Sequence, residues 1–211
     1  MQIAVPAESF EAYKTAPGWS EYANIMVPEY MTYSGTDGNI DWSICKDTLT
    51  LSKNPQATDG TMKNYAHRDY RPLWEYHPFF KNVTSVVVKD SVENIGTYAF
   101  YNNSDLTSVT LSEGLKSLEQ HAFSYCTGIT SVTIPDSLTY LGQQSFQDCR
   151  GLMDITLGSG VMEIADRAFL DTDPVSIVIP DSVTKIGPHA FSRCLHLTTV
   201  DFGTGLEYLD P

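Results

Sequence analysis

Phe100, Phe123, Phe146, Phe169 and Phe191 recur at intervals of 23, 23, 23 and 22 residues, each closing a short motif of the form YAF, HAF, QSF, RAF or HAF. No other property of the chain restricts its fold as strongly. Further columns keep the same register: Val86, Val109, Val132, Ile155, Ile177 and Val200; Val88, Leu111, Ile134, Leu157, Ile179 and Phe202; Val92, Leu115, Leu138, Val161, Val183 and Leu206; Ile95, Leu118, Leu141, Ile164, Ile186 and Leu209. A unit this short has nothing of its own to cover its apolar edge. Stacking supplies the cover, because each coil buries the edge of its neighbour and the core runs on as a solenoid. The one missing residue falls between Phe169 and Ile177, where DTDP replaces the usual loop.

Within a coil, segments such as SVTI alternate as a short strand, and PDS at 135–137 and 180–182, or GSG at 158–160, makes the following turn. The fold class expected is a mainly β repeat solenoid with short irregular or 3-10 turns. Residues 83–211 would hold five repeats and an incomplete sixth. Ahead of them, Ile40, Trp42 and Ile44 alternate, a CKD turn follows, and Leu49 and Leu51 alternate again, so a β-hairpin is predicted to begin a cap over 39–82. The aromatic run Tyr65, Tyr70, Trp74, Tyr76, Phe79 and Phe80 suits closure of the first coil, with a carbohydrate-stacking platform as the competing reading. Residues 6–16 read as a short N-terminal helix stopped by Pro17–Gly18, and residues 29–38 as a link.

The pattern LxxVxLPxxLxxIgxxaFxxC, carried by the columns above, resembles the BspA-like leucine-rich repeat family, with a repeat of about 23 residues. DGNIDWSICKDTLTLS and the following MKNYAHRDYRPLWEYHPFF are similar to the lead-in that precedes many such tracts, with RPLW where Pro commonly adjoins Trp. VPAESFEAYKTAPGWSEYANI is similar to a segment that closes a tract. Residues 1–28 would then end one tract and 83–211 begin another, which makes the chain a fragment of a larger protein. The resemblance implies a cell-surface or secreted bacterial protein, no catalysis, and adhesion to a host extracellular protein or glycan.

Three groups of residues are candidates for a site. Cys126, Cys149 and Cys194 lie three residues after a repeat phenylalanine, with Asn103 and Thr172 in the same place. A small, weakly polar side chain there can turn inward to loop backbone groups, so this reads as a structural column of free thiols rather than a metal or disulfide site. Val87, Thr110, Thr133, Thr156, Val178 and Asp201 fall between inward strand positions and should form an outward stripe, side by side at about 4.8 Å if the strands pair in register. That stripe is either a surface that a ligand recognises or simply threonine suited to exposed strands. His121 and His189 share a position with Tyr98, Gln144 and Arg167, a variety that reads as solvated.

No cofactor is implied by any motif, and no nucleophile elbow, phosphate loop or metal spacing occurs. The acids Asp136 and Asp181 follow proline in turns. A net charge of −13 disfavours nucleic acid and anionic bilayers, and no apolar run is long enough for membrane insertion. Homo-association head to tail, through the solenoid ends, is the second expectation for a partner.

Overall fold

The computed structural model describes residues 3–5, 12, 15–18, 26–28, 32–66 and 71–210. The helix predicted over 6–16 and the ring of Tyr70 lie wholly or mostly outside them. Strands β1 (Ile3–Val5) and β2 (Met26–Pro28) pair in parallel, Ile3 opposite Met26.

From Thr32 onward the chain builds a solenoid with two strand columns. The first begins with β3 (Thr32–Asp37), β4 (Ile40–Cys45) and β5 (Thr48–Lys53), an antiparallel meander, and continues in parallel through β6 (Ser85–Val88) and β8 (Ser108–Thr110). Leu49 stands opposite Val86 and Leu51 opposite Val88, so the hairpin is itself the first layer of the solenoid sheet. The later members are β10 (Ser131–Thr133), β12 (Asp154–Thr156), β14 (Ser176–Ile179) and β16 (Thr199–Phe202). The second column is one unbroken parallel sheet of two-residue strands: β7 (Asn94–Ile95), β9 (Ser117–Leu118), β11 (Tyr140–Leu141), β13 (Glu163–Ile164), β15 (Lys185–Ile186) and β17 (Tyr208–Leu209).

The columns of the sequence become layers of the core. Val132 and Ile134 point inward while Ser131 and Thr133 point out, as the alternation requires. The phenylalanines stack face to face, with centroids 5.0 Å apart for Phe100 and Phe123 and 5.4–5.5 Å for each later pair. Trp74, fully buried in a 3-10 turn at Leu73–Tyr76, stacks on Phe100 at 5.9 Å and extends that ladder into the lead-in. Tyr65 is buried against Trp74, Phe79 stacks on Tyr33, and Tyr76 faces solvent.

Two features depart from the sequence expectations. Thr32–Asp37, inside the stretch read as a link, forms a full strand; its residues TYSGTD lack apolar alternation because Trp42 lies across it. A Cβ on Gly35 would come within 2.6 Å of the Trp42 ring, so this strand carries a glycine where a side chain would collide. Second, each coil between 98 and 193 turns through two left-handed non-glycine residues, at Tyr98, His121, Gln144, Arg167 and His189 and again four residues later at Asn102, Tyr125, Asp148, Asp171 and Arg193.

In the last described coil Phe202 and Leu209, on core columns, and Tyr208, on the outward column of Tyr140 and Lys185, are each at least half exposed.

Candidate functional site

The outward stripe lies on the first strand column. Val87 pairs with Thr110, Thr133 with Thr156, and Val178 with Asp201, each in register. Val87 is half-buried and the other five are exposed. The stripe is not continuous, however: no ladder joins β8 to β10 or β12 to β14, so it divides into three paired segments. Thr107, Thr110, Thr130 and Thr133 flank the first interruption; Met153, Val175 and Val178 flank the second.

On the opposite edge the thiol column turns inward. Cys126 donates to the carbonyl oxygen of Phe100 at 3.0 Å, Cys149 to that of Phe123 at 3.1 Å, and Cys194 to that of Phe169 at 3.4 Å. Thr172 donates to Phe169 at 2.8 Å. Asn103 sits beside the cap, its buried amide next to the Glu75 carboxylate. Burial pushes the Cys149 thiol up to about 12 and holds Cys126 well above its ordinary value, so both are neutral and unreactive. Cys194, less buried, is raised for the same reason, and Cys45 ends β4 half-buried; all four are free.

The histidine position has a backbone cause that the sequence did not disclose. Its five occupants share φ between 55° and 59°. His121 is half-buried, stacks on Tyr98 at 4.7 Å and shares a hydrogen bond with Ser124, while His189 is exposed. Asp136 and Asp181 accept hydrogen bonds from the backbone N–H of Ser159 and Thr204, each one coil onward, both at 2.7 Å. Their carboxylates tie successive turns together. Among the described residues no group of three or more His, Cys, Asp or Glu is placed to hold a metal, and no helix is long and apolar enough to cross a membrane.

One turn column alternates in the sequence as Ser91, Gly114, Ser137, Gly160, Ser182 and Gly205. A Cβ at Gly114, Gly160 or Gly205 would meet the carbonyl oxygen of Asp90, Asp136 or Asp181 at 1.6–2.0 Å. The serine coils instead give side-chain donors, Ser137 to the Leu115 carbonyl and Ser182 to the Val161 carbonyl, both at 2.7 Å.

This geometry is shared with known proteins. The chain is similar to a leucine-rich cell surface protein from Faecalibacterium prausnitzii, with 26% identity and a TM-score of 0.51 over 83% of this chain and 55% of that one. It has the fold of a leucine-rich repeat protein from Eubacterium ventriosum (22% identity, TM-score 0.65, 83% of this chain and 44% of that one) and of the T. pallidum leucine-rich repeat protein (21%, 0.60, 81% and 86%). The chain thus spans about half the length of the first two. None of the curated proteins matches it. Residues 78–198 match the BspA type leucine rich repeat region in 6 copies. Stacked phenylalanines, paired strand columns and this match together place the chain in the BspA-type leucine-rich repeat family.

Proposed function

We propose that the chain is a non-enzymatic protein-interaction module of a bacterial surface or secreted protein, and that it meets a host extracellular protein or glycan across the exposed face of the first strand column. The observation that carries this reading is the exposed column: Thr110, Thr133 and Thr156 hold one place in the repeat and are exposed, Thr133 and Thr156 in register, while Val109 and Val132 beside them turn into the core. Rigid strands hold these hydroxyls and methyl groups with little entropy left to lose on contact, which favours recognition over an extended surface. The description of the Faecalibacterium neighbour as a cell surface protein supports the location.

The test is a binding screen of the purified chain by biolayer interferometry against matrix proteins, mucins and host glycans, run beside Thr110→Lys/Thr156→Lys. Both positions are exposed, so the variant keeps its stability to within about 0.5 kcal/mol. Saturable binding that the variant loses is the expected result. Equal binding by the two proteins removes the stripe from the reading, and no binding at all removes adhesion by this segment.

A further inference from the structure

The first strand column is interrupted where the repeat is one residue short. In the other coils Leu106, Ile129, Leu152 and Leu197 each donate their N–H to the residue three before. Pro174 fills that core place in the short coil and has no N–H to give. The N–H of Asp173 bonds to the carbonyl of Leu152 instead, and from there β14 runs on without joining β12. The ladder bonds on the outer sides are intact: Asp154 donates to Thr130, Ile134 donates to Thr156, and Val175 and Ile179 accept from Thr198 and Gly203. Since the groups of a parallel strand alternate between its two neighbours, the N–H and C=O groups of Ile155, Ser176 and Val178 are the ones aimed at the junction.

A groove lies over this junction, lined by Met153, Ile155, Val175 and Val178, with Asp136 and Asp154 at its rim and no basic residue along it. Met153 is 51% exposed, Val175 59% and Val178 64%, large apolar exposures gathered in one place. The carboxylate of Asp154 has no partner among the described residues. At the other interruption, between β8 and β10, the flanking residues are threonines and no such apolar floor exists.

We propose that the β12–β14 junction is a docking groove for an extended, basic polypeptide segment, which lays alternate apolar side chains on Met153, Val175 and Val178 and directs a lysine or arginine to Asp154. The inference rests on the reading of the chain as a protein-interaction module and names the chemistry of its partner. The apolar floor gives such a segment its affinity, and the acidic rim selects its charge.

The experiment is an NMR titration of the full 15N-labelled chain with the synthetic peptide Lys-Val-Thr-Val-Lys-Val-Thr-Val and its counterpart with Glu for Lys. Amide shifts centred on Ile155, Ser176 and Val178 are expected with the lysine peptide, with affinity at least about tenfold weaker for the Glu peptide and for Asp154→Lys. Val175→Ser, an exposed change that leaves the fold intact, should weaken binding as well. Shifts centred on Thr110 and Thr133 would overturn the groove while leaving the module reading in place. Shifts at Phe202 and Leu209, equal affinity for both peptides, or no shifts at all would each sink the groove, whereas the module reading itself falls only with the binding screen.

Discussion

The thiol of Cys126 donates to the carbonyl oxygen of Phe100 across 3.0 Å, from one coil to the coil before it, inside a completely buried site. Cys149 repeats the arrangement with Phe123. These thiols therefore fasten their loops to the coil before at a place where water cannot satisfy the carbonyl, whereas Thr172 donates within its own coil. Cys126→Ala removes both the donor and the buried sulfur and is expected to cost about 2 kcal/mol in urea unfolding. Cys126→Thr, which keeps a donor as Thr172 does, should cost less; equal losses would show that packing alone matters.

The same two thiols make stability fall in alkali. Their folded values are raised by burial while the unfolded chain ionises from near 9, so their contribution is complete below pH 9 and is lost as pH climbs toward 12. Each contributes a slope of up to about 1.4 kcal/mol per pH unit in that window. Urea midpoints followed from below pH 9 into the window should decline less steeply in Cys149→Ser than in the parent protein. Parallel curves would refute the assignment.

The phenylalanine ladder predicts a gradient along the solenoid. Phe146 is buried between two parallel rings, and Phe146→Ala should cost about 3–5 kcal/mol. Phe191 is only partly buried and stacks on Phe169, so Phe191→Ala should cost about half as much or less. Chemical denaturation of the two variants side by side measures the ratio.

In the alternating turn column, Gly160→Ala should cost more than Ser137→Ala. An added Cβ at Gly160 stands 2.0 Å from the Asp136 carbonyl and forces the turns of two coils apart, an overpacking cost of about 1–3 kcal/mol. Removing the Ser137 hydroxyl loses one bond to Leu115, about 1 kcal/mol. The reverse order in thermal or urea unfolding would contradict the tight turn contact.

Asp37, at the end of β3, is buried and binds Lys63 Nζ at 2.6 Å, the Tyr65 hydroxyl at 3.2 Å and the Leu73 N–H at 3.0 Å. It joins the hairpin to the segment that carries Trp74. Asp37→Ala removes the acceptor that these three donors share and should cost about 2 kcal/mol, with earlier proteolytic cleavage next to Lys63 and Leu73 than in the coils beyond Phe100. Unchanged cleavage order would separate Asp37 from the cap.

How much could be read in advance depended on whether a residue's role is set by its own column or by a contact across columns. The core columns from Val86 to Ile186 were legible because burying apolar groups needs only the right period, and the period is written along the chain. Trp74 was legible as part of the closing segment, since an end coil must be covered, although its stacking on Phe100 was not. β3 was missed because its pattern is polar and its glycine answers to Trp42, a residue on another strand. The left-handed positions were missed because neither column keeps to the residue types that favour such a backbone: Asn102, Asp148, Asp171 and His121 do, but Tyr98, Tyr125, Gln144, Arg167 and Arg193 share their places.

For the candidate surface the division is the same. The sequence by itself determined that Thr110, Thr133 and Thr156 face outward in line, because strand alternation and the repeat length permit no other placement once Val109, Val132 and Ile155 turn inward. Only the tertiary structure decided that the line is broken at β8–β10 and at β12–β14. Backbone pairing between coils depends on how each loop delivers its strand, and a loop one residue short, with Pro174 in place of an N–H donor, delivers β14 out of hydrogen-bonding reach of β12 while the apolar column inside continues unbroken.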